Sequence, residues 1–258
     1  TETALALADL LYGGERKLIT INMSEYQEAH SVSGLKGAPP GYVGYGEGGV
    51  LTEAVRRNPY SVVLLDEVEK AHPDVLELFY QVFDKGVLDD AEGRQIDFRN
   101  TIIILTSNLA SSVMMQACLN KSAAEVPKPD QLAEMIRPHL VKHFKPAFLG
   151  RLVVVPFYPI RDDVLANIIR LKLDRIARRI LANHKAAFQY DDALVAAVLA
   201  RCTEVDSGAR NVDTILNGTL LPEIADAVLA RLAEGAPITR IKVGATRAGK
   251  FKYAIEPA

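Results

Sequence analysis

The sequence predicts an α/β fold in which a parallel-sheet lobe is followed by a smaller helical lobe ending in a β-hairpin. Three observations predict it. Val62 to Leu65 is an apolar run that stops at two adjacent carboxylates, Asp66 and Glu67, as a strand buried on both faces does at its carboxyl end. Thr101 to Leu105 is a second fully apolar run, closed by Thr106, Ser107 and Asn108. Beyond Ile160 the pattern becomes helical, with Leu165, Ile168, Ile169, Leu173, Ile176 and Ile180 in one stripe. Pro156 to Pro159 marks the boundary, giving an α/β part over 1–158 and a helical part over 159–258.

Each element comes from local pattern. Ala4, Leu5, Leu7, Ala8, Leu10 and Leu11 predict an opening helix that starts at Thr1 and Glu2 with no strand before it. A helix with Thr at its head is the element that a Gly-rich phosphate loop leads into. The GxxxxGK stretch is absent, so the sequence is expected to begin inside a longer protein, just past that loop. Gly13 and Gly14 turn the chain into a short strand, Leu18 to Met23. Gly34 to Gly49 holds seven glycines and two prolines in sixteen residues and predicts a loop.

Leu51 to Arg57 predicts a short helix ended by Asn58-Pro59, and Pro73 opens a helix with an apolar face from Val75 to Phe83. Asp84 to Asn100 predicts a polar hairpin, and its spacing does not fit an EF-hand. Residues 111–130 predict a helix-to-loop connection. Gln131 to Leu149 predicts helix interrupted at Pro138 and Pro146. His139 and His143 stand four apart, but Leu140 occupies the place of a metalloprotease Glu, so no zinc site is expected. Leu152 to Val155 predicts a core strand. After the long helix come a second over Asp192 to Arg201, a turn at Asp206-Ser207-Gly208, and a third that bends between Gly218 and Pro222 and runs to Glu234. Thr239 to Val243 and Phe251 to Ile255 predict the closing hairpin.

Composition excludes several classes. With 258 residues, 49% of them apolar, the chain can bury a real core, and a formal net charge of -2 gives no general affinity for nucleic acid. Cys118 and Cys202 lie far apart without a CxxC, which suits a reducing cytoplasm. No apolar stretch has membrane-spanning length, so no membrane is expected as partner, and the near-neutral charge argues against nucleic acid.

The chemistry gathers at the predicted strand ends. Asp66 can hold Mg²⁺ through its water shell and Glu67 can polarise an attacking water, the Walker B arrangement of P-loop nucleotidases; the other reading is a solvated strand end. Asn108 either orients water against a terminal phosphate or simply forms a turn. Arg151 is either a salt-bridge partner or a group that reaches a neighbouring subunit's phosphate. Tyr42 and Val43, between Gly41 and Gly44, are either local packing or a tip that grips extended polypeptide by apolar area.

Five blocks in order resemble the second nucleotide-binding domain of the Clp/Hsp100 class of AAA+ P-loop NTPases. They are LKGAPPGYVGYGEGG (35–49), LTEAVRRNPYSVVLLDEVEKAHPDV (51–75), DFRNTIIILTSN (97–108), FKPAFLGR (144–151) and SGAR (207–210). The resemblance covers nearly the whole chain and implies a bacterial, cytoplasmic, ATP-driven homohexamer that threads polypeptide through a central channel. It implies Asp66 and Thr1 as Mg²⁺ residues, Glu67 as the base, and Asn108 as sensor of the terminal phosphate. Arg151 is the implied finger acting in trans, Arg210 the second sensor, and Ile168 a further nucleotide contact. Gly41, Tyr42, Val43 and Gly44 are the implied pore loop, and the second part is the implied lid.

Two departures stand out. The phosphate-binding lysine and glycines are absent, so this stretch alone is expected to bind ATP poorly, and Gly150 precedes Arg151 where the family usually has Asn. Gln81 to Gly86 and residues 211–235 most resemble the ClpV branch, which serves bacterial type VI secretion by extracting subunits of the contracted sheath. A ClpB-type disaggregase shares every catalytic block. A nucleic-acid remodeller is disfavoured by charge and by the aromatic loop, and an inactive oligomerisation module is the non-enzymatic alternative.

Overall fold

The computed structural model describes residues 1–119, 121, 124–203, 209–233, 238–246 and 248–257. The chain forms two compact units, Thr1–Tyr158 and Pro159–Ala258. The first unit is α/β with a parallel sheet, and the second is helical with strands at its end.

In the first unit, α1 (Glu2–Tyr12) leads through Gly13, whose positive φ closes the helix, to β1 (Leu18–Asn22). Then come α2 (Val32–Lys36), α3 (Val50–Arg57), β2 (Ser61–Asp66) and α4 (Pro73–Lys85). Next are the hairpin strands β3 (Val87–Asp89) and β4 (Gln95–Asp97), β5 (Thr101–Leu105), α5 (Ser111–Cys118), α6 (Pro129–His143) and α7 (Pro146–Leu149). Strands β1, β2 and β5 pair in parallel in that order, with β2 central, and the register aligns Asn22 with Asp66 and Leu65 with Leu105. The alternation of a strand sorts β2 between two cores. Val63 and Leu65 join Ile21, Phe79 and Phe148 on one face, while Val62 and Leu64 meet Ala4 and Ala8 of α1 on the other. Five residues of β2 are therefore buried, and the polarity that cannot be buried is left at its carboxyl end, where such sheets bind ligands.

Three sequence expectations are corrected here. The glycine-rich stretch does not begin as loop, because Gly34 to Lys36 finish α2, whose fully buried Leu35 anchors it to the core. Pro138 does not interrupt α6. Its ring lies on the exposed side, while Leu132, Ile136 and Leu140 hold the opposite face, and the break comes at Phe144, just before Pro146 opens α7. Leu152 to Val155 is not a core strand: it is irregular, with Val153 91% and Val155 66% exposed. Apolar, β-branched composition makes a strand only where another strand offers an edge, and among the described residues this run has no pairing partner.

The second unit contains α8 (Asp162–His184), β6 (Ala187–Tyr190), α9 (Asp192–Thr203), α10 (Ala209–Ile215), α11 (Leu221–Ala233), β7 (Ile238–Ala245) and β8 (Phe251–Pro257). Leu165, Ile169, Leu173, Ile176 and Ile180 form the buried stripe of α8, with Ile168 half-buried beside it. The predicted bend is a π-helical turn over Leu216–Leu220, where Pro222 has no N–H to return to the carbonyl of Gly218. The hairpin β7–β8 is antiparallel as expected, and the four-residue β6, too short to read from alternation, pairs parallel to β7. The predicted turn at residues 206–208 and the helix end at Glu234 fall outside the described residues.

Candidate functional site

The parallel register brings the polar ends of β2 and β5 together. Thr106 N–H donates to the Leu65 carbonyl at 3.0 Å, and the Thr106 carbonyl accepts from Val68 N–H at 2.9 Å, so the chain leaving β5 is stitched to the chain leaving β2. The Thr106 hydroxyl donates to Asp66 Oδ1 and accepts from the Glu67 N–H at 3.2 Å. Glu67 is in the left-handed region, φ 57° and ψ 47°, a conformation that costs a non-glycine residue roughly 1–2 kcal/mol. Such strain concentrates where a side chain must be aimed. Here it turns Glu67 off the strand axis, where Lys70 Nζ holds Oε2 at 2.7 Å. Asn108 joins the group through its backbone N–H, which donates to Glu69 Oε1 at 3.3 Å, while Glu69 Oε2 is buried without a partner. Asp66, Glu67 and Asn108 thus stand together where the parallel strands end. The sequence assigned no role to Thr106 or Glu69, which tie them together; the Thr-Ser-Asn run after an apolar strand could have singled out Thr106, and no local pattern singles out Glu69.

Arg151 is presented by a different device. Phe148 is fully buried against Tyr80, Phe83 and Phe144, with ring centroids at 6.0, 5.8 and 5.7 Å, and this roots the short α7 on α4. Glu77, Tyr80 and Asp84 lie on one face of α4 at helical spacing and meet Lys145, Phe148 and Arg151 in turn. Lys145 Nζ reaches Glu77 Oε1 at 2.7 Å. Arg151 gives Asp84 a two-pronged bond, Nε to Oδ1 at 2.6 Å and Nη2 to Oδ2 at 2.8 Å. Its Nη1 donates to the Ala147 carbonyl at 2.6 Å, and the guanidinium carbon lies 5.1 Å from the centre of the Tyr80 ring. The bond from Arg151 holds the Asp84 carboxyl below its ordinary range. Of the two sequence readings, the salt bridge is present within the chain.

The glycine-rich loop is pinched at its base and free at its tip. A Cβ on Gly49 would lie 2.1 Å from the Leu35 carbonyl oxygen and 2.5 Å from Gly37 N, so only glycine lets the two ends of the loop cross there. Gly41 and Gly44 have φ of 89° and 86° and bracket Tyr42 and Val43, which are 70% and 101% exposed. The foot of the loop rests on the turn between β3 and β4, where Ala91 N–H donates to the Lys36 carbonyl at 3.1 Å.

That turn is itself built on Asp90, buried and accepting from Glu92 N–H, Arg94 N–H and Arg94 Nε at 2.8 to 2.9 Å. Burial alone raises the Asp90 carboxyl, but the bonds from Arg94 and Glu92 outweigh it and hold it below the ordinary carboxylate range. A depressed carboxyl stabilises the fold above its unfolded pKa, and that contribution is lost as pH falls through the folded value. Asp90→Asn is therefore expected to lower stability by about 2 kcal/mol at pH 7, and the deficit to shrink below roughly pH 4. Urea unfolding of both proteins from pH 7 to pH 3 checks this, and a pH-independent difference would contradict it.

The remaining candidates come from other elements. Thr1 is exposed at the head of α1, where its carbonyl accepts from Leu5 N–H at 3.0 Å and its side chain makes no capping bond. Ile168 and Arg210 belong to the second unit, Ile168 half-buried on α8 and Arg210 exposed in the first turn of α10. No helix among the described residues is long and apolar enough to cross a membrane.

Residues 1–155 match the family model of the AAA domain (Cdc48 subfamily), and residues 160–243 match the C-terminal, D2-small domain of ClpB protein. The AAA+ ATPase ClpV1 of Pseudomonas aeruginosa is 56% identical over 253 residues, 98% of this chain and 28% of that protein. Chaperone protein ClpB of Yersinia enterocolitica is 55% identical over 229 residues, 89% of this chain and 26% of that protein. Chaperone protein ClpB of Agrobacterium fabrum is 38% identical over 260 residues, covering 100% of this chain and 28% of that protein. The chain thus spans about a quarter of the length of the relatives it matches.

Proposed function

The chain belongs to the Clp/Hsp100 class of AAA+ ATPases, and on that premise we propose that it is the hydrolysing and gripping module of a homohexameric ClpV-type unfoldase. Its substrate is subunits of the contracted type VI secretion sheath, threaded through the ring in the bacterial cytoplasm. The observation that carries the gripping role is the Tyr42–Val43 tip, exposed on a loop whose base is fixed to the β3–β4 turn. An aromatic held out by glycines grips extended chain through apolar area and needs no particular sequence.

Bound ATP with Mg²⁺ supplies the phosphoryl bond whose cleavage drives the cycle. The donor set suits that ion. Asp66 is a single hard carboxylate whose Oδ1 is braced by the Thr106 hydroxyl. A hard oxygen donor suits Mg²⁺, and Asp66 and Thr1 would be the residues that hold it, supplying charge neutralisation at the phosphates. Glu67 takes the proton of the attacking water on Oε1, since Lys70 occupies Oε2. Asn108, its backbone tied to Glu69, offers its amide at the same strand ends. Arg151 reaches the neighbouring subunit's phosphate, and Arg210 and Ile168 are carried as further nucleotide contacts on the strength of the resemblance.

The ClpV-type reading rests on Gln81 to Gly86, on residues 211–235 and on the 56% identity across 98% of the chain. A ClpB-type disaggregase is the second reading, favoured by the match of residues 160–243 to the ClpB small domain. In the full-length protein, Tyr42→Ala is expected to hydrolyse ATP within about twofold of wild type while extraction of sheath subunits falls below detection. Threading that survives the substitution would remove the gripping role. Release of protein from aggregates without action on sheaths would favour the second reading.

A further inference from the structure

We propose that Asp84 is the positioning residue for Arg151, fixing the guanidinium in the attitude from which it serves the adjacent subunit. The inference rests on the reading of Arg151 as a finger acting in trans. A solvent-facing ion pair contributes little to stability by itself, so stability is a poor account of this one. Asp84 also sits in the last turn of α4, where the helix dipole disfavours an anion. An acid is useful there only if a cation is to be held.

The hold is of a particular kind. Of the five N–H donors of a guanidinium, Nε and one on Nη2 go to Asp84, and one on Nη1 goes to the Ala147 carbonyl. One N–H on each terminal nitrogen remains for an incoming oxyanion, and 34% of the side chain stays exposed. Tyr80 lies against the guanidinium as a third support. Arg151 is thus pinned without being used up. A free arginine loses several rotamers' worth of entropy when it engages a phosphate, and a side chain already fixed by Asp84, Ala147 and Tyr80 avoids that loss.

Mixed hexamers of the full-length protein test this, because a finger defect is felt in the neighbour's site and not in its own. Asp84→Asn is expected to reduce kcat about tenfold with KM for ATP nearly unchanged, and Asp84→Glu to recover most of the rate. Tyr80→Leu, which keeps Asp84, should lose about threefold, and it serves as the probe if Asp84→Asn does not assemble. Added Glu67→Gln protomers contribute almost no hydrolysis of their own yet carry an intact Asp84–Arg151 pair. They should raise the rate per Asp84→Asn protomer several-fold, and do the same for Arg151→Ala. If Arg151→Ala gains nothing from such neighbours, the trans reading itself fails. If Arg151→Ala is rescued while Asp84→Asn runs at the wild-type rate, runs faster, or stays slow beside Glu67→Gln protomers, the positioning role alone is overturned.

Discussion

The full-length protein carrying Glu67→Gln should bind ATP with nearly wild-type affinity and hydrolyse it about 10²–10⁴-fold more slowly. The amide keeps the volume and the length of the side chain, and the backbone at position 67 is fixed by Thr106 through the 3.2 Å bond to its N–H. Position is therefore preserved, and the loss is confined to the proton acceptor. Neutral Gln also gives up the charge that faces Lys70 at 2.7 Å, but that pair is partly open to solvent and its removal is worth little in stability. Phosphate release under saturating ATP, beside equilibrium binding of a fluorescent nucleotide, separates the two effects. Undiminished hydrolysis would end the assignment of Glu67 as the base, and loss of binding would mean that the residue supports the fold of the site instead.

Arg151→Ala should have an effect at least as large. A planar cation placed on a transferring phosphoryl group is worth about 10³–10⁵ in turnover where it acts in trans. The substitution also strands Asp84 at the carboxyl end of α4 with no partner, and without Arg151 its carboxyl should return towards the ordinary range. Phe148 and the Lys145–Glu77 bridge still hold α7 on α4, so the fold of the first unit is expected to survive. Hydrolysis that collapses while nucleotide binding and the unfolding transition persist is the outcome that supports the reading. Hydrolysis within about threefold of wild type would reduce Arg151 to the salt-bridge role that the sequence left open.

The legible parts of this site were those written in consecutive residues. Asp66 and Glu67 come directly after an apolar run, and a strand with five buried residues has no other place for charge than its end. Tyr42 and Val43 were legible because glycines on either side exclude helix and strand alike. Thr106 and Glu69 were not, since each matters through a partner some forty positions away in the chain, and register alone decides that meeting. Asp84 was illegible for the same reason. Nothing in Gln81 to Gly86 states that Arg151 will lie across it until the Phe148 cluster has docked α7 on α4. Leu152 to Val155 shows the converse failure, because residue type promised a strand and no edge was there to receive one.

The sequence by itself determined the two-part α/β and helical organisation, the parallel strands with their acidic and amide termini, and the glycine-bracketed aromatic tip. Periodicity, apolar runs and backbone permissiveness are local quantities, and they act before distant segments meet. Only the tertiary structure decided which polar groups share a hydrogen bond. It set the left-handed turn of Glu67 against Thr106, the tether of Asn108 to Glu69, and the grip of Asp84 on Arg151. Those pairings require an ångström-scale register between elements, which close packing of the intervening apolar side chains supplies and which no local pattern encodes.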